Sequence, residues 1–223
     1  MRNVLIATPS YDGKIDVWYA NSLAESIRLG LANDINFQPV YMSYDALIQR
    51  SRNDLLAIAI QNKFDDIIWI DADMEWNPQW LIDLLKADAD VIGGTAPRKA
   101  IEESYVVKCK PENLVKNEEG LIEVEALGTG FLRMSAKAAQ YLWDNSEPYV
   151  HNGADKRWAF EVKIQDGDII SEDVLACEKL RAGGFKIFLN PTMTCNHIGT
   201  LKFSGNFEQW MQHLKEMTDD PIA

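Results

Sequence analysis

The stretch Ile67-Ile-Trp-Ile-Asp-Ala-Asp-Met-Glu-Trp76 constrains the fold of this chain more than any other. An apolar run without polar alternation, bounded by polar residues, fits a central strand of a parallel sheet covered on both faces. The run ends in two carboxylates, Asp71 and Asp73, and in open α/β sheets ligands gather outside the carboxyl ends of such strands. Side chains two apart in an extended segment point the same way, roughly 6 to 7 Å apart, so the spacing predicts that Asp71 and Asp73 share one hard divalent cation, directly or through water. The alternative for this pair is a solvated strand end. Position sets aside two other Asp-x-Asp triplets. Asp88-Ala-Asp90 precedes the apolar Val91-Ile92 and falls at the N-terminal edge of a strand, and Asp166-Gly-Asp168 reads as a turn.

A chain of 223 residues suits one domain with a substantial core. Its formal charge of −12 argues against a sequence-independent grip on nucleic acid or on an anionic membrane. The three cysteines, Cys109, Cys177 and Cys195, lack paired metal-ligand spacing, and an odd total predicts a reduced, cytoplasmic setting. The first apolar run, Val4 to Ala7, is too short for a leader, and no run approaches the roughly 18 apolar residues of a membrane span, so no stable membrane association is expected.

Val4 to Ala7 reads as strand one, closed by Thr8-Pro9-Ser10-Tyr11 and the turn pair Asp12-Gly13, and a helix follows over Val17 to Leu29. Past a second strand, Phe37 to Met42, Asp45 is either an acceptor for a ribose or base or a helix N-terminal acid. Asp45 to Asn62 has helical periodicity, with Arg50, Arg52 and Asn53 assigned to a solvated face, and Asn77-Pro78 opens the next helix. Val91-Ile92 leads into Gly93-Gly94 with Arg98 and Lys99 beyond, either a close backbone approach whose cations face a phosphate or a flexible turn. Tyr105 to Lys110 and Leu121 to Ala126 read as a hairpin joined through Pro111 to Gly120. Gly128-Thr-Gly130 then enters a strand, and Ser135 caps a helix over Ala136 to Trp143.

Asp144 to Asp168 shows no clear period and carries Tyr149, Trp158 and Phe160, flat rings suited to an acceptor-side loop. Ser171-Glu172-Asp173 opens a helix ending at Gly183-Gly184, and the macrodipole alone accounts for its first-turn acids. Lys186 to Leu189 is a strand stopped by Asn190-Pro191. His151, His197 and His213, each alone, read as hydrogen-bonded structural residues. The pattern predicts an α/β fold, a single open, mostly parallel sheet flanked by helices with a small antiparallel section.

Four blocks in this order, Ala7-Thr-Pro-Ser-Tyr11, Trp69-Ile-Asp-Ala-Asp-Met74, Gly128-Thr-Gly130-Phe131, and Ser171-Glu-Asp173 running on to His197-Ile-Gly199, resemble the nucleotide-sugar-dependent glycosyltransferases of GT-A fold. The likeness is nearest to the family 2 type and to the short forms of phages and large DNA viruses, and it extends from residue 3 to about residue 205. It implies one GT-A domain over 1–223, with a nucleotide-binding half to about residue 100, an acceptor-binding half from 101 to about 205, and a C-terminal helix and tail over 206–223. Thr8, Pro9 and Tyr11 then line the nucleobase pocket, with Asp45 and Arg52 nearby, and Asp71 serves the sugar–ribose side. Asp73 binds Mn²⁺ or Mg²⁺ with His197 as a further ligand, neutral imidazole suiting the mixed shells of Mn²⁺. Lys99 faces the diphosphate, Gly130 and Trp158 lie on the acceptor side, and Asp173 is the base with Glu172 the next candidate.

The implied activity is metal-dependent transfer of a hexose or pentose from a UDP- or GDP-linked donor to a hydroxyl, with inversion. The implied acceptor is a glycan, a glycoprotein or a hydroxymethylated DNA base, the last at odds with the charge. One departure concerns the Gln-x-x-Arg-Trp block of many family 2 members, where this chain has only Phe207-Glu-Gln-Trp210. The rival readings are a nucleotidyltransferase acting on sugar phosphates, which calls for a glycine-rich cationic loop after strand one, and a non-catalytic sugar-binding module.

Overall fold

The computed structural model describes residues 1–100, 102–110 and 113–219. The chain opens with β1 (Arg2–Ser10), α1 (Val17–Ala32), β2 (Ile35–Ser43), α2 (Ile48–Gln61) and β3 (Asp66–Ile70), then β4 (Met74–Glu75), α3 (Gln79–Lys86) and β5 (Val91–Thr95). Short strands follow, β6 (Val107–Lys108), β7 (Ile122–Val124) and β8 (Ala126–Leu127), and then β9 (Phe131–Ser135) and α4 (Ala136–Asp144). Two small hairpins, β10 (Pro148–His151) with β11 (Ala154–Arg157) and β12 (Lys163–Gln165) with β13 (Asp168–Ile170), precede α5 (Glu172–Ala182). The chain continues through β14 (Ile187–Thr194), β15 (Asn196–Ile198), β16 (Lys202–Phe203) and α6 (Phe207–Asp219).

The fold is α/β, built on a 7-stranded sheet of order β2-β1-β3-β9-β5-β14-β7. β1, β2, β3, β5 and β14 run one way, and β9 and β7 run against them. As the apolar run predicts, β3 is central and wholly buried. Its side chains alternate, with Ile67 and Trp69 entering the core under α2, α4 and α5, and Ile68 and Ile70 entering the core under α1 and α3. β9, from the proposed acceptor half, lies between β3 and β5, so both halves of the chain share one sheet.

Several boundaries differ from expectation. β1 runs on through Pro9 to Ser10, paired with β2 as far as Ser43. β14 is not stopped at Asn190-Pro191 but reaches Thr194. The ladder with β5 is irregular between Leu189 and Thr194, and proline, which has no N–H to donate, is tolerated at such an interruption. The expected pairing of Tyr105 to Lys110 with Leu121 to Ala126 is met only at its end, where Ala126 in β8 lies antiparallel to Lys108 in β6, whereas β7 joins the edge of the main sheet. Pro111 and Glu112, in the expected connection, lie outside the described residues. The Asp144 to Asp168 stretch contains the two hairpins rather than an irregular loop. The second of them turns at Asp166-Gly167, both at positive φ, as the triplet Asp166-Gly-Asp168 predicts. Gly93 and Gly94 belong to β5, where close packing on β9 and on Met193 leaves no room for a Cβ, so they form no phosphate loop.

The solvated face expected on α2 fails at Arg52 and Asn53, both buried. This helix lies between the sheet, α4 and the β10–β11 hairpin, and little of its circumference meets water. Asn53 accepts the amides of Ala159 and Phe160 at 3.0 and 2.8 Å and donates to the Phe160 carbonyl at 2.9 Å. Asp54 pairs with Lys156 at 3.1 Å and lies 3.5 Å from His151. Among the described residues no helix is long and apolar enough to cross a membrane.

At the N-terminal edge of the sheet the Asp66 carboxylate is fully buried and accepts from Arg2 Nε at 2.5 Å and Arg133 Nε at 2.7 Å. Removing one member of a buried pair leaves the other charge uncompensated, so Asp66→Ala is expected to cost about 3 to 5 kcal/mol in urea unfolding. A loss within experimental error would show that Arg133 finds water or another acceptor.

Candidate active site

β3 ends at Ile70 and the chain turns at once. The Met74 amide donates to the Asp71 carbonyl at 3.1 Å, the i to i+3 bond of a β-turn. This corrects the geometry expected of an extended Asp71-Ala-Asp73, because in a turn the two side chains diverge. Asp71 continues the alternation of Ile67 and Trp69 toward α2, where Arg52 Nη2 donates to its Oδ1 at 3.0 Å. Beyond the turn, Asp73 Oδ2 accepts from Lys99 Nζ at 2.5 Å, and its Oδ1 lies 3.6 Å from His197 Nε2.

His197 reaches this point because β15 pairs antiparallel with β4, which sets His197 opposite Met74. The Ile198 amide donates to the Asp73 carbonyl at 2.8 Å and secures the register. His197 Nδ1 lies 2.9 Å from the Pro97 carbonyl, a group that can only accept, so Nδ1 carries a proton and Nε2 is the nitrogen turned to Asp73. Burial alone would raise the Asp73 carboxyl, but the neighbouring His197 and the Lys99 ammonium outweigh it and hold the group below the usual carboxylate range.

Asp73 and His197 together fit half of a cation site. An Nδ1–H bonded to a backbone carbonyl is the usual means of orienting a metal-binding imidazole. Asp71, tied to Arg52, is not a third member. Among the described residues no group of three His, Cys, Asp or Glu side chains is placed to hold a metal. A cation here would complete its shell with substrate oxygens and water, as Mg²⁺ commonly does.

Two cavities flank this cluster at the carboxyl edge of β1 and β3. The first, about 490 Å³, is walled by Pro9 near the end of β1, by Tyr11 and Lys14 after it, and by Asp45 and Ile48 after β2. The second, about 500 Å³, has apolar walls from Met74, Pro97, Val106 and Phe131 and is also lined by Arg52, Glu172 and Asp173. Asp71 and His197 line both, Asp73 only the first, and Lys99 only the second. Because β9 runs against its neighbours, its N-terminal approach, Gly128 to Gly130, falls at this same edge. A Cβ on Gly130 would stand 2.7 Å from Met74 Cε and 3.2 Å from Asp71 Oδ2, so a larger residue there would have to displace the Met74 side chain and crowd Asp71.

At the start of α5, Glu172 is ion-paired with Arg52. Asp173 Oδ1 accepts from the Val174 amide at 2.8 Å and from the Ser171 hydroxyl, and its Oδ2 lies toward Gly128, where a Cβ would be 3.6 Å away.

The structure thus brings Pro9, Tyr11, Asp45, Arg52, Asp71, Asp73, Lys99, Gly130, Glu172, Asp173 and His197 to one edge. Two expected residues stand apart. Thr8 is buried behind the wall, its hydroxyl 2.6 Å from that of Tyr19, and Trp158 stacks edge-on to Tyr149 at 5.6 Å and lines neither cavity. Arg52 joins the second cavity rather than the nucleobase side. Thr129, whose buried hydroxyl has no partner among the described residues, and Ser171 line the second cavity; both stand in blocks of the sequence pattern but are not among its expected site residues. Thr129 stands between the two glycines of its block, and that flanking pair was the available signal.

No protein-family profile and no curated protein matches the chain. Among solved structures it is similar to A197 from STIV, with 18% identity, a TM-score of 0.54, and coverage of 89% of this chain and 86% of that one. Weaker likenesses, which carry no argument at these scores, include a glycosyltransferase involved in the glycosylation of the major capsid of PBCV-1, with 11% identity, 63% of each chain and a TM-score of 0.35. Another is a putative glucose-1-phosphate thymidylyltransferase from Bacillus anthracis, with 10% identity, 100% of this chain, 97% of that one and a TM-score of 0.47. The first likeness shows a shared fold.

Asp45 lies before α2, which begins at Ile48 rather than at Asp45, and lines the first cavity; it accepts from the Leu47 amide at 2.9 Å and from Arg50 Nε and Nη2 at 2.7 and 2.6 Å. The Arg50 hydrogen bonds outweigh burial and hold its carboxyl below the usual value. A lowered carboxylate contributes stability above about pH 3.9, and that contribution is lost as pH falls through the folded-state value. In Arg50→Met burial is left to dominate, so carboxyl-carbon NMR should find Asp45 titrating at higher pH than in the wild type. An unmoved titration would assign the shift to the Leu47 amide.

Proposed function

We propose that this protein is a glycosyltransferase that moves a sugar from a nucleoside-diphosphate sugar to an acceptor hydroxyl. The observation that carries the reading is a pair of adjoining cavities of similar size that share Asp71 and His197, one open to the connections after β1 and β2, the other reaching Asp173. A two-part donor suits this shape. The nucleoside takes the first cavity, the sugar and the acceptor hydroxyl take the second, and the diphosphate lies between them beside Asp73, His197 and Lys99. The order of the four sequence blocks supports the same reading.

In this mechanism the acceptor oxygen attacks the anomeric carbon while Asp173 takes its proton. The bond to the diphosphate oxygen breaks, and the sugar is inverted. Lys99 donates to the departing diphosphate, where charge develops. Asp73 and His197 would hold Mn²⁺ or Mg²⁺, which supplies Lewis-acid neutralisation of that charge. The apolar walls of the second cavity exclude water that would otherwise compete as acceptor. A glycan or glycoprotein acceptor suits a chain of net charge −12 better than DNA does. The stretch Thr8-Pro-Ser-Tyr-Asp-Gly13 has one glycine and no arginine, which sets a nucleotidyltransferase second.

Calorimetry with UDP and GDP, with and without Mn²⁺, is expected to show metal-dependent affinity that Asp73→Asn removes. Affinity indifferent to metal in both proteins would discard the cation site. Asp173→Asn is expected to lower transfer or donor hydrolysis by about 10² to 10⁴. A wild-type rate in that variant would discard Asp173 as base.

A further inference from the structure

Arg52 carries a permanent charge at a position only 3% exposed, between two acids remote from it in sequence. One arm of its guanidinium is ion-paired with Glu172 and the other donates to Asp71 at 3.0 Å. The planar fork can hold two carboxylates in fixed directions at once, which a lysine ammonium on a flexible stem cannot. Its backbone has little freedom to follow a displaced partner, because the next two residues of α2, Asn53 and Asp54, are bound to the backbone of Ala159 and Phe160 and to Lys156 of the β10–β11 hairpin. Arg52 itself lines the second cavity.

We propose that Arg52 is a positioning residue that holds Glu172 as an ion-paired spectator and Asp71 away from Asp73, leaving Asp173 as the carboxylate that can meet an acceptor hydroxyl. Glu172 would have to abandon a buried guanidinium before accepting a proton. Asp173 faces no such competition: its Oδ1 is oriented by the Val174 amide and the Ser171 hydroxyl, and no guanidinium or ammonium is paired with it among the described residues. The turn after β3 separates Asp71 from Asp73, and the same fork holds Asp71 on the α2 side. The catalytic part of this assignment rests on the sugar-transfer reading, and the pairing itself does not.

The test combines transfer kinetics, nucleoside diphosphate affinity in Mn²⁺ and urea midpoints for Arg52→Met, Arg52→Lys and the double variant Arg52→Met/Glu172→Gln. Arg52→Met is expected to lower kcat by about 100-fold, the effect of misplacing a reacting group by about 1 Å, with nucleotide affinity changed less than about threefold. Arg52→Lys, able to hold one acid, should fall between it and the wild type. Adding Glu172→Gln removes the orphaned carboxylate and should recover part of both kcat and the urea midpoint, a coupling that distant, independent sites do not show.

A loss of nucleotide affinity in Arg52→Met that matches the loss in kcat would overturn the assignment in favour of a direct ligand contact. So would a double variant no better than Arg52→Met in both readouts. If the wild type turns over no nucleotide sugar, the urea midpoints still decide: recovery in the double variant upholds the pairing while the sugar-transfer reading falls, and no recovery removes both. Should Arg52→Met not fold, Arg52→Lys with and without Glu172→Gln completes the same cycle.

Discussion

A guanidinium cannot give up its proton to escape burial, so it is tolerated inside a protein only where carboxylates come to meet it. Arg52 has drawn two, one from the end of β3 and one from the first turn of α5. Those two elements carry the acids on which the proposed chemistry depends, and α2 fixes their separation. The arrangement is weak evidence for stability, since an apolar substitute of equal volume often does as well. It is strong evidence for geometry, because a half-removed network leaves a charge with no partner.

The two edges of the sheet divide the burden. At the N-terminal edge Asp66, fully buried, binds the buried Arg133 and the half-buried Arg2. At the carboxyl edge Asp71, Asp73, Lys99 and His197 line the two cavities and remain partly exposed, while Arg52 is buried. Lys99 and His197 meet Asp73 there, and Arg50 meets Asp45. Antiparallel strands make this possible, since β9 delivers its glycine approach to the edge where β1 and β3 end, and β15 returns His197 alongside β4.

Much of this was legible in the residues. The run Ile67 to Ile70 identified the buried central strand, and the position of Asp71 and Asp73 after it identified the ligand edge. Ser135 capped its helix, and Asp166-Gly167 formed its turn. The failures have a common cause. Periodicity describes a helix with one wet face, so it misassigned α2, whose Arg52 and Asn53 are covered by elements distant in sequence. Proline was read as a stop at Pro191, where an irregular ladder needs no N–H from it. The period-2 rule fails beyond Ile70, where the chain turns at Asp71 and Asp73 is no longer on an extended segment.

By itself the sequence determined which residues are apolar and in what order, and hence the α/β class, the strand that lies deepest, and the edge at which acids accumulate. These follow from local pattern, because burial of a continuous run is favourable wherever that run goes. Tertiary structure alone decided the partners: that Asp71 faces Arg52, that Asp73 faces His197 and Lys99, and that Thr8 and Trp158 turn away. A charged side chain takes its direction from the nearest countercharge. That countercharge lay on another element, 19 residues away for Asp71 and Arg52 and 120 for Arg52 and Glu172, separations that no local pattern encodes.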